Sequence, residues 1–206
     1  MQRSFLIFAM AFVALMAGAL FYAAQLPVRT PAEPAATPDT NVPGGDVPGG
    51  PVYPSFQLAD MSGDLRDFSE WDGKHRLLNF WATWCAPCRR EIPILKAFQD
   101  AHGASGLQVL GIAVDFMEPV IEYAEEARFN YPILVGEQDA MAVAESSGVD
   151  FIGLPFTMLV AADGELIGTH MGEIHQEQLD EIATLLERLD RGSIDKETVR
   201  SSIAAF

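Results

Sequence analysis

Two closely spaced cysteines are the residues of this sequence with the clearest chemical potential. The chain holds two cysteines, Cys85 and Cys88, and Ala86 and Pro87 lie between them. A thiol at the start of a helix loses its proton readily, because free N–H groups and the helix dipole stabilise the thiolate. A cysteine one helical turn later can attack a mixed disulfide that has formed on the first thiol. We therefore predict that Cys85 is the nucleophile, that Cys88 resolves the mixed disulfide, and that Pro87 stiffens the turn.

A structural disulfide and half of a metal site are the alternative interpretations of this pair. A bridge across two intervening residues closes a very short loop, and short loops gain little stability from cross-linking. A zinc site needs further ligands, and the histidines of the chain have no ligand spacing: His75, His102, His170 and His175. Redox chemistry is the favoured interpretation, and neither a resident metal nor a cofactor is expected.

The elements around the pair are predicted from the spacing of apolar residues. A short apolar run over 77–82 favours a buried strand directly before the cysteines, and apolar residues at three-residue spacing favour a helix over 86–101. Further elements follow in alternation: strands over 107–114 and 131–135, a helix over 119–129, a hairpin over 156–168 and a helix over 176–190. This order predicts an α/β fold with a mixed sheet.

The start of the chain has the composition of a membrane segment followed by a linker. After a short tail over 1–4, residues 5–24 are apolar and uncharged, long enough at about 1.5 Å per residue to cross a bilayer core of roughly 30 Å. The alternative is a cleaved signal peptide with small residues at 17–19 as the cleavage site, and both interpretations export the remainder. Residues 25–54 are rich in proline, glycine and alanine and are predicted to be a linker, either a tether that gives an active site reach or an unselected spacer.

The remainder is predicted to form one domain over 55–191, followed by a polar tail over 192–206 to which no element is assigned. The formal net charge of the chain is −16. An acidic surface repels phosphate backbones, so binding to nucleic acid is not expected.

The segment over 80–93, FWATWCAPCRREIP, resembles the active-site segment of thioredoxin-like proteins. Its Trp-Ala-Thr-Trp-Cys form behind a membrane segment is similar to the TlpA/ResA branch of membrane-anchored extracytoplasmic thiol-disulfide oxidoreductases. Pro93 inside the helix, Gly153-Leu154-Pro155 and the Asp163-Gly164 turn resemble further features of that branch. The resemblance extends over about 52–190 and implies a thioredoxin-like three-layer sandwich with a mixed β-sheet, preceded by a transmembrane helix.

The resemblance also implies roles for residues outside the cysteine pair. Pro155 should have a cis peptide bond and shape the docking groove, and the backbone of Leu154 should meet the substrate as an added strand. Phe156 stands where many relatives have threonine or glutamate, so partner choice is expected to depend on it. Trp84, beside the disulfide, is expected to be a contact surface.

A buried acid is a further expectation from the resemblance. Asn79 stands where cytoplasmic thioredoxins have a proton-moving aspartate, and an asparagine cannot perform that step. Glu91, one helical turn beyond Cys88, matches a glutamate of the TlpA/ResA branch and could replace the aspartate. The alternative is an acid near a helix start that is stabilised by the helix dipole.

The function implied by the resemblance is reduction of disulfides in exported proteins, for example in cytochrome c maturation or copper-site assembly. Its partners would be protein thiols or disulfides and a membrane electron donor. The chain would be a single-pass protein of the cytoplasmic membrane with its catalytic domain in the periplasm or otherwise outside the cytoplasm. A disulfide oxidant or isomerase, and a copper-binding module of thioredoxin fold, are the alternatives. A peroxidase would need a Pro-x-x-x-Thr-x-x-Cys context, which does not precede Cys85.

Overall fold

The computed structural model describes residues 52–146, 148 and 152–206. The membrane helix predicted over 5–24 and nearly all of the linker predicted over 25–54 lie outside these residues. Within the described part of the chain, no helix is both long enough and apolar enough to span a bilayer.

A seven-stranded mixed sheet forms the centre of the fold. Its strands, in chain order, are β1 (Gln57–Asp60), β2 (Leu65–Asp67), β3 (His75–Trp81), β4 (Leu107–Val114), β5 (Ile133–Gly136), β6 (Phe156–Val160) and β7 (Leu166–Met171). Their order across the sheet is β2-β1-β5-β4-β3-β6-β7. The three central strands β5, β4 and β3 are parallel, and β1 and β6 join them in antiparallel orientation. The predicted mixed sheet is confirmed.

Helices cover both faces of the sheet and make it the middle layer of three. They are α1 (Ala86–His102), α2 (Met117–Ala127), α3 (Gln138–Glu145), α4 (Gln176–Asp190) and α5 (Lys196–Ile203). Helices α1, α2, α4 and α5 contribute to the core on one face, and α3 contributes to the core on the other. Short 3-10 turns at Phe68–Trp71 and Gly103–Ser105 complete the described elements.

Strand β3 is central because both of its faces are apolar and buried. Leu77 and Trp81 pack into the core beneath α1, whereas Leu78 and Phe80 pack into the core beneath α3. Successive side chains of a strand point to opposite faces, so an uninterrupted apolar run suits a strand that is covered on both sides. The run predicted from the sequence therefore leads directly to the loop that carries the cysteines.

The packed part of the chain begins before residue 55, where the domain was predicted to begin. Tyr53 is buried, its hydroxyl donates to the carbonyl oxygen of Val143 at 2.7 Å, and its backbone N–H donates to the carbonyl oxygen of Gly164. The Asp163-Gly164 turn is present, with Gly164 at a φ of 92°. Tyr53 and the hairpin residue Gly164 are thus part of the packed domain.

Helix α5 occupies part of the segment over 192–206, for which the sequence analysis assigned no element. Its side chains Val199 and Ile203 are buried, and Ile203 packs directly over the backbone of Gly168 on β7. Lys196 and Arg200 of the helix form ion pairs with the buried carboxylate of Glu165. Two apolar residues four positions apart anchor this helix, which is too few for a periodic signal.

Candidate active site

Cys85 and Cys88 form a disulfide where β3 gives way to α1. Cys85 is the N-cap of α1, and its sulfur accepts a hydrogen bond from the backbone N–H of Cys88 at 3.3 Å. This confirms the predicted placement at a helix N-terminus, where backbone donors stabilise a thiolate. Cys85 is 5% exposed and Cys88 is 0% exposed. A partner sulfur can therefore reach Cys85 first.

Glu91 lies one turn beyond Cys88 on α1 and is buried, with 1% of its surface exposed. Its Oε1 accepts a hydrogen bond from Asn79 Nδ2 at 2.6 Å, and its Oε2 accepts one from the backbone N–H of Ile174 at 2.9 Å. Burial raises the pKa of Glu91 to about 7, against the lowering effect of these two hydrogen bonds. The carboxyl group can therefore gain or lose a proton near neutral pH.

Asn79 connects Glu91 to strand β6 through a second hydrogen bond. It is fully buried on β3, and its Nδ2 also donates to Thr157 Oγ1 on β6 at 3.3 Å. The side chains of Asn79, Glu91 and Thr157 thus join β3, α1 and β6 beneath the disulfide-bearing turn.

The peptide bond between Leu154 and Pro155 is cis, as predicted. The carbonyl oxygen of Pro155 accepts a hydrogen bond from the N–H of Gly172 at 2.9 Å. Strand β6 begins at the next residue and pairs with Phe80 near the end of β3. Leu154 and Pro155 therefore lie at the end of the sheet where β3 ends and the cysteines follow.

Phe156, expected to be a determinant of partner choice at the groove, does not present its side chain there. It is 0% exposed, and its ring packs against Phe80 with the ring centroids 5.5 Å apart. The register of β6 directs this side chain into the core beneath α3. A substrate cannot contact the ring, so any influence on partner choice would have to pass through packing or the backbone.

Trp84, in contrast, is 69% exposed beside the disulfide. Three other large apolar side chains are exposed at the same end of the sheet: Phe116 after β4, Ile152 before the cis-proline, and Met171 at the end of β7. We call these four residues the apolar rim. A contiguous exposed apolar surface marks contact sites for other molecules, and the apolar rim is a candidate for such a site.

Asp115 is a site residue that the sequence analysis did not identify. It is buried at the end of β4, and its Oδ2 accepts hydrogen bonds from the backbone N–H of Thr83 at 2.8 Å and from Thr83 Oγ1 at 2.6 Å. The available signal was an acid directly after a buried strand of a parallel pair, because the carboxyl ends of such strands meet at one edge.

Arg89 and Arg90 follow the pair on α1. Arg90 is exposed and forms an ion pair with Glu173, the residue before Ile174. Pro87 lies in the first turn of α1, and Pro93 lies inside that helix. Among the described residues, no group of three or more histidine, cysteine, aspartate or glutamate side chains is placed to hold a metal ion.

A family model described as Redoxin matches residues 48–186 of the chain. The chain is 33% identical over 134 residues to the "Thiol-disulfide oxidoreductase ResA" of Geobacillus kaustophilus (strain HTA426), an alignment that covers 64% of this chain and 74% of the relative. It is 32% identical over 133 residues to the protein of the same name from Geobacillus thermodenitrificans (strain NG80-2), covering 63% of this chain and 73% of the relative.

The fold is also similar to that of solved structures. A thiol:disulfide interchange protein of the thioredoxin family from Chlorobium tepidum TLS superposes with a TM-score of 0.61 at 26% sequence identity. The superposition covers 69% of this chain and 99% of the other. The predicted thioredoxin-like sandwich with a mixed sheet is therefore confirmed by the strand order and by the similarity to this solved structure.

Proposed function

The chain belongs to the Redoxin family, and on that premise we propose that it reduces disulfide bonds of exported proteins outside the cytoplasm. It is a ResA/TlpA-like member of the thioredoxin superfamily and a protein thiol-disulfide oxidoreductase. The direction of electron flow, the location and the partners are the proposed parts.

The observation that carries the proposal is the unequal environment of the two cysteines. Cys85 caps the helix and keeps some exposed surface, whereas Cys88 is fully buried above an acid whose pKa is raised to about 7. Cys85 is thus placed to exchange with a partner disulfide, and Cys88 is placed to resolve the mixed disulfide from the protein interior.

The proposed reaction consists of two sulfur displacements. The Cys85 thiolate attacks one sulfur of the substrate disulfide, forming a mixed disulfide, while the other substrate sulfur leaves as a thiolate. Cys88 then loses its proton and attacks the Cys85 sulfur, so that the enzyme disulfide forms and the second substrate sulfur leaves. Two electrons have then passed from the cysteine pair to the substrate. The disulfide in the structure is the product of these steps.

Glu91 is the proposed acceptor of the Cys88 proton. The two residues are three apart on α1, a spacing that places side chains on the same helix face, and both are buried. A general base works best when its pKa lies near the working pH, and burial brings the pKa of Glu91 to about 7.

The substrate is proposed to dock across the edge that holds the disulfide and the cis-proline. The backbone of Leu154 can add an extended substrate segment as a strand, and Pro155 shapes the groove. Trp84 and the other residues of the apolar rim then contact the side chains that flank the substrate cysteine. An apolar contact area suits a chain whose net charge of −16 would repel many acidic proteins.

The proposed chain organisation is a tail over 1–4, a membrane anchor over 5–24, a linker over 25–54, a domain predicted over 55–191 and a final segment over 192–206. In the structure Val52, Tyr53 and helix α5 pack with that domain. The position of Val52 on the domain supports the proposal of a tether. Val52 bridges to Glu165 in the turn between β6 and β7, and that turn lies at the end of the sheet where Arg76 of β3 pairs with Val160. The disulfide follows the opposite end of β3, so the site and the turn that Val52 contacts lie at opposite ends of the sheet.

An anchor of this kind would place the domain in the periplasm, or its equivalent outside the cytoplasm, as a single-pass protein of the cytoplasmic membrane. A reductant must regain two electrons after each turnover. A membrane electron donor is the proposed source, because the linker gives the domain reach at about 3.1 Å per residue of extended chain.

The proposal is tested by trapping Cys85 partners in cells with Cys88→Ser, which leaves the mixed disulfide unresolved. We expect exported proteins with disulfides to be captured, and we expect the unaltered pair to be mainly in the dithiol form when alkylated in intact cells. A pair found mainly oxidised would favour a disulfide oxidant or isomerase. Retained copper without reductase activity would favour a copper-binding module.

A further inference from the structure

Asn79 occupies the centre of the hydrogen-bond network beneath the active-site helix. Its Nδ2 donates to Glu91 Oε1 at 2.6 Å and to Thr157 Oγ1 at 3.3 Å, and its side chain is fully buried. The shorter of these bonds fixes one carboxylate oxygen of Glu91. The N–H of Ile174 fixes the other at 2.9 Å.

Both hydrogen-bond donors to Glu91 are uncharged. Among the described residues no cation forms an ion pair with Glu91, and the neighbouring Arg90 is engaged by Glu173 instead. A guanidinium or ammonium group would hold the carboxylate in its charged form through the whole reaction. Amide donors stabilise the charged form less strongly, so the proton remains exchangeable.

The other side-chain atom of Asn79 is also informative. Its Oδ1 is buried and has no hydrogen-bond partner among the described residues. This acceptor is therefore available to a donor that forms nearby. A protonated Glu91 carries an O–H that needs an acceptor, and a rotated Asn79 amide supplies one.

We propose that Asn79 is a positioning residue for Glu91: its amide donates to the carboxylate, and accepts from the carboxyl group once Glu91 has taken the proton of Cys88. An aspartate at this position would add a second buried carboxyl group, and the two groups would repel each other whenever both were charged. The inference rests on the acid–base role of Glu91 in the proposed function.

The remaining titratable groups near Glu91 stay in place when Asn79 is changed. Glu173 raises the pKa of Glu91 through its negative charge, and the charge of Glu91 in turn adds to the raised pKa of Tyr131. Cys88 and Arg90 lie on the same helix. A shift of the Glu91 titration in an Asn79 variant would therefore report the loss of the amide.

The test uses the full chain in detergent with the pair reduced, comparing unaltered protein with Asn79→Leu, which removes donor and acceptor but keeps a similar volume. The carboxyl carbon of Glu91, assigned by its loss in Glu91→Gln, is titrated by NMR. We expect its midpoint to rise by about one pH unit, because a hydrogen bond to the charged form is lost. The rising limb of the exchange rate against pH should move up with it.

Asn79→Ala removes the same amide and repeats the test if leucine disturbs the packing. A Glu91 midpoint that stays in place in the folded variants would overturn the proposal, since a merely structural asparagine would lower only the melting temperature. A midpoint that moves while the rate profile stays in place would overturn the link to the reaction. The reductant role is tested separately, by the reduction potential of the unaltered protein.

Discussion

The carboxylate of Asp115 accepts two hydrogen bonds from Thr83, at 2.8 Å from the backbone N–H and at 2.6 Å from the hydroxyl. Asp115 directly follows β4, whereas Thr83 lies two residues before Cys85 in the loop after β3. Because these strands are parallel neighbours, the acid on one fixes the nucleophile-bearing loop on the other.

Asp115→Ala is expected to loosen this loop. The change leaves the Thr83 donors without their acceptor, so we expect unfolding free energy to fall by about 1–3 kcal/mol and the rate of disulfide exchange to fall with it. Urea unfolding and reduction of a disulfide-bonded peptide measure the two effects. Thr83→Val is the control, since it keeps the backbone hydrogen bond and should cost less. Equal values for Asp115→Ala and unaltered protein would contradict the assigned role.

Glu91 is expected to make the protein less stable as pH rises from about 4.5 to about 7. Burial raises its pKa from 4.5 to about 7, so between these values the folded state holds a proton that the unfolded state has released. The stabilisation is complete below the unfolded pKa and is lost as pH approaches 7, amounting to about 3 kcal/mol.

Glu91→Gln removes this titration and isolates it from the other acids of the chain. Unfolding free energies of both proteins are measured by urea from pH 4 to pH 8, and the unaltered protein should lose about 3 kcal/mol more than Glu91→Gln as pH rises to about 7. Parallel curves would show that Glu91 has an ordinary pKa.

Trp84→Ala is expected to weaken the binding of protein substrates without slowing thiol-disulfide exchange itself. Removing an exposed aromatic contact should raise KM by about tenfold for a protein disulfide, while exchange with dithiothreitol stays close to the unaltered rate. Leu65→Ala is a matched control, because Leu65 is also 69% exposed but lies on β2 at the edge of the sheet. Equal KM effects in the two variants would deny Trp84 a docking role.

Helix α5 is expected to be part of the stable fold. Ile203→Ala removes a buried side chain that packs over Gly168, and the cavity should cost about 2–5 kcal/mol of unfolding free energy. Ser201→Ala, an exposed change on the same helix, should stay within about 0.5 kcal/mol. Thermal unfolding measures both, and an unaffected Ile203→Ala would mean that the helix contributes nothing to the core.

The sequence predicted the elements whose apolar pattern is long or uninterrupted. Strand β4 and helix α4 have the predicted bounds, and the cysteine pair lies at the predicted helix start. Strands β1 and β2 were not predicted because they are four and three residues long and mostly only partly buried. Helix α3 was missed as well, since its alanines give a weak apolar signal.

The direction of the Phe156 side chain could not be derived from sequence. Every residue of β6 is buried, so alternation of polarity does not reveal which face each side chain occupies. Pairing with β3 settles it by placing Phe156 beside Phe80 and Thr157 beside Asn79. The same pairing creates the contact between Asn79 and Thr157, which no local pattern contains.

The reduction potential of the Cys85–Cys88 pair tests the central claim most directly. The full chain in detergent would be equilibrated with dithiothreitol or glutathione buffers, and its thiols would then be counted by alkylation. A reductant of exported proteins requires a strongly negative value, near the roughly −270 mV of thioredoxin. A value near the roughly −120 mV of DsbA would contradict the claim and make the protein a disulfide oxidant.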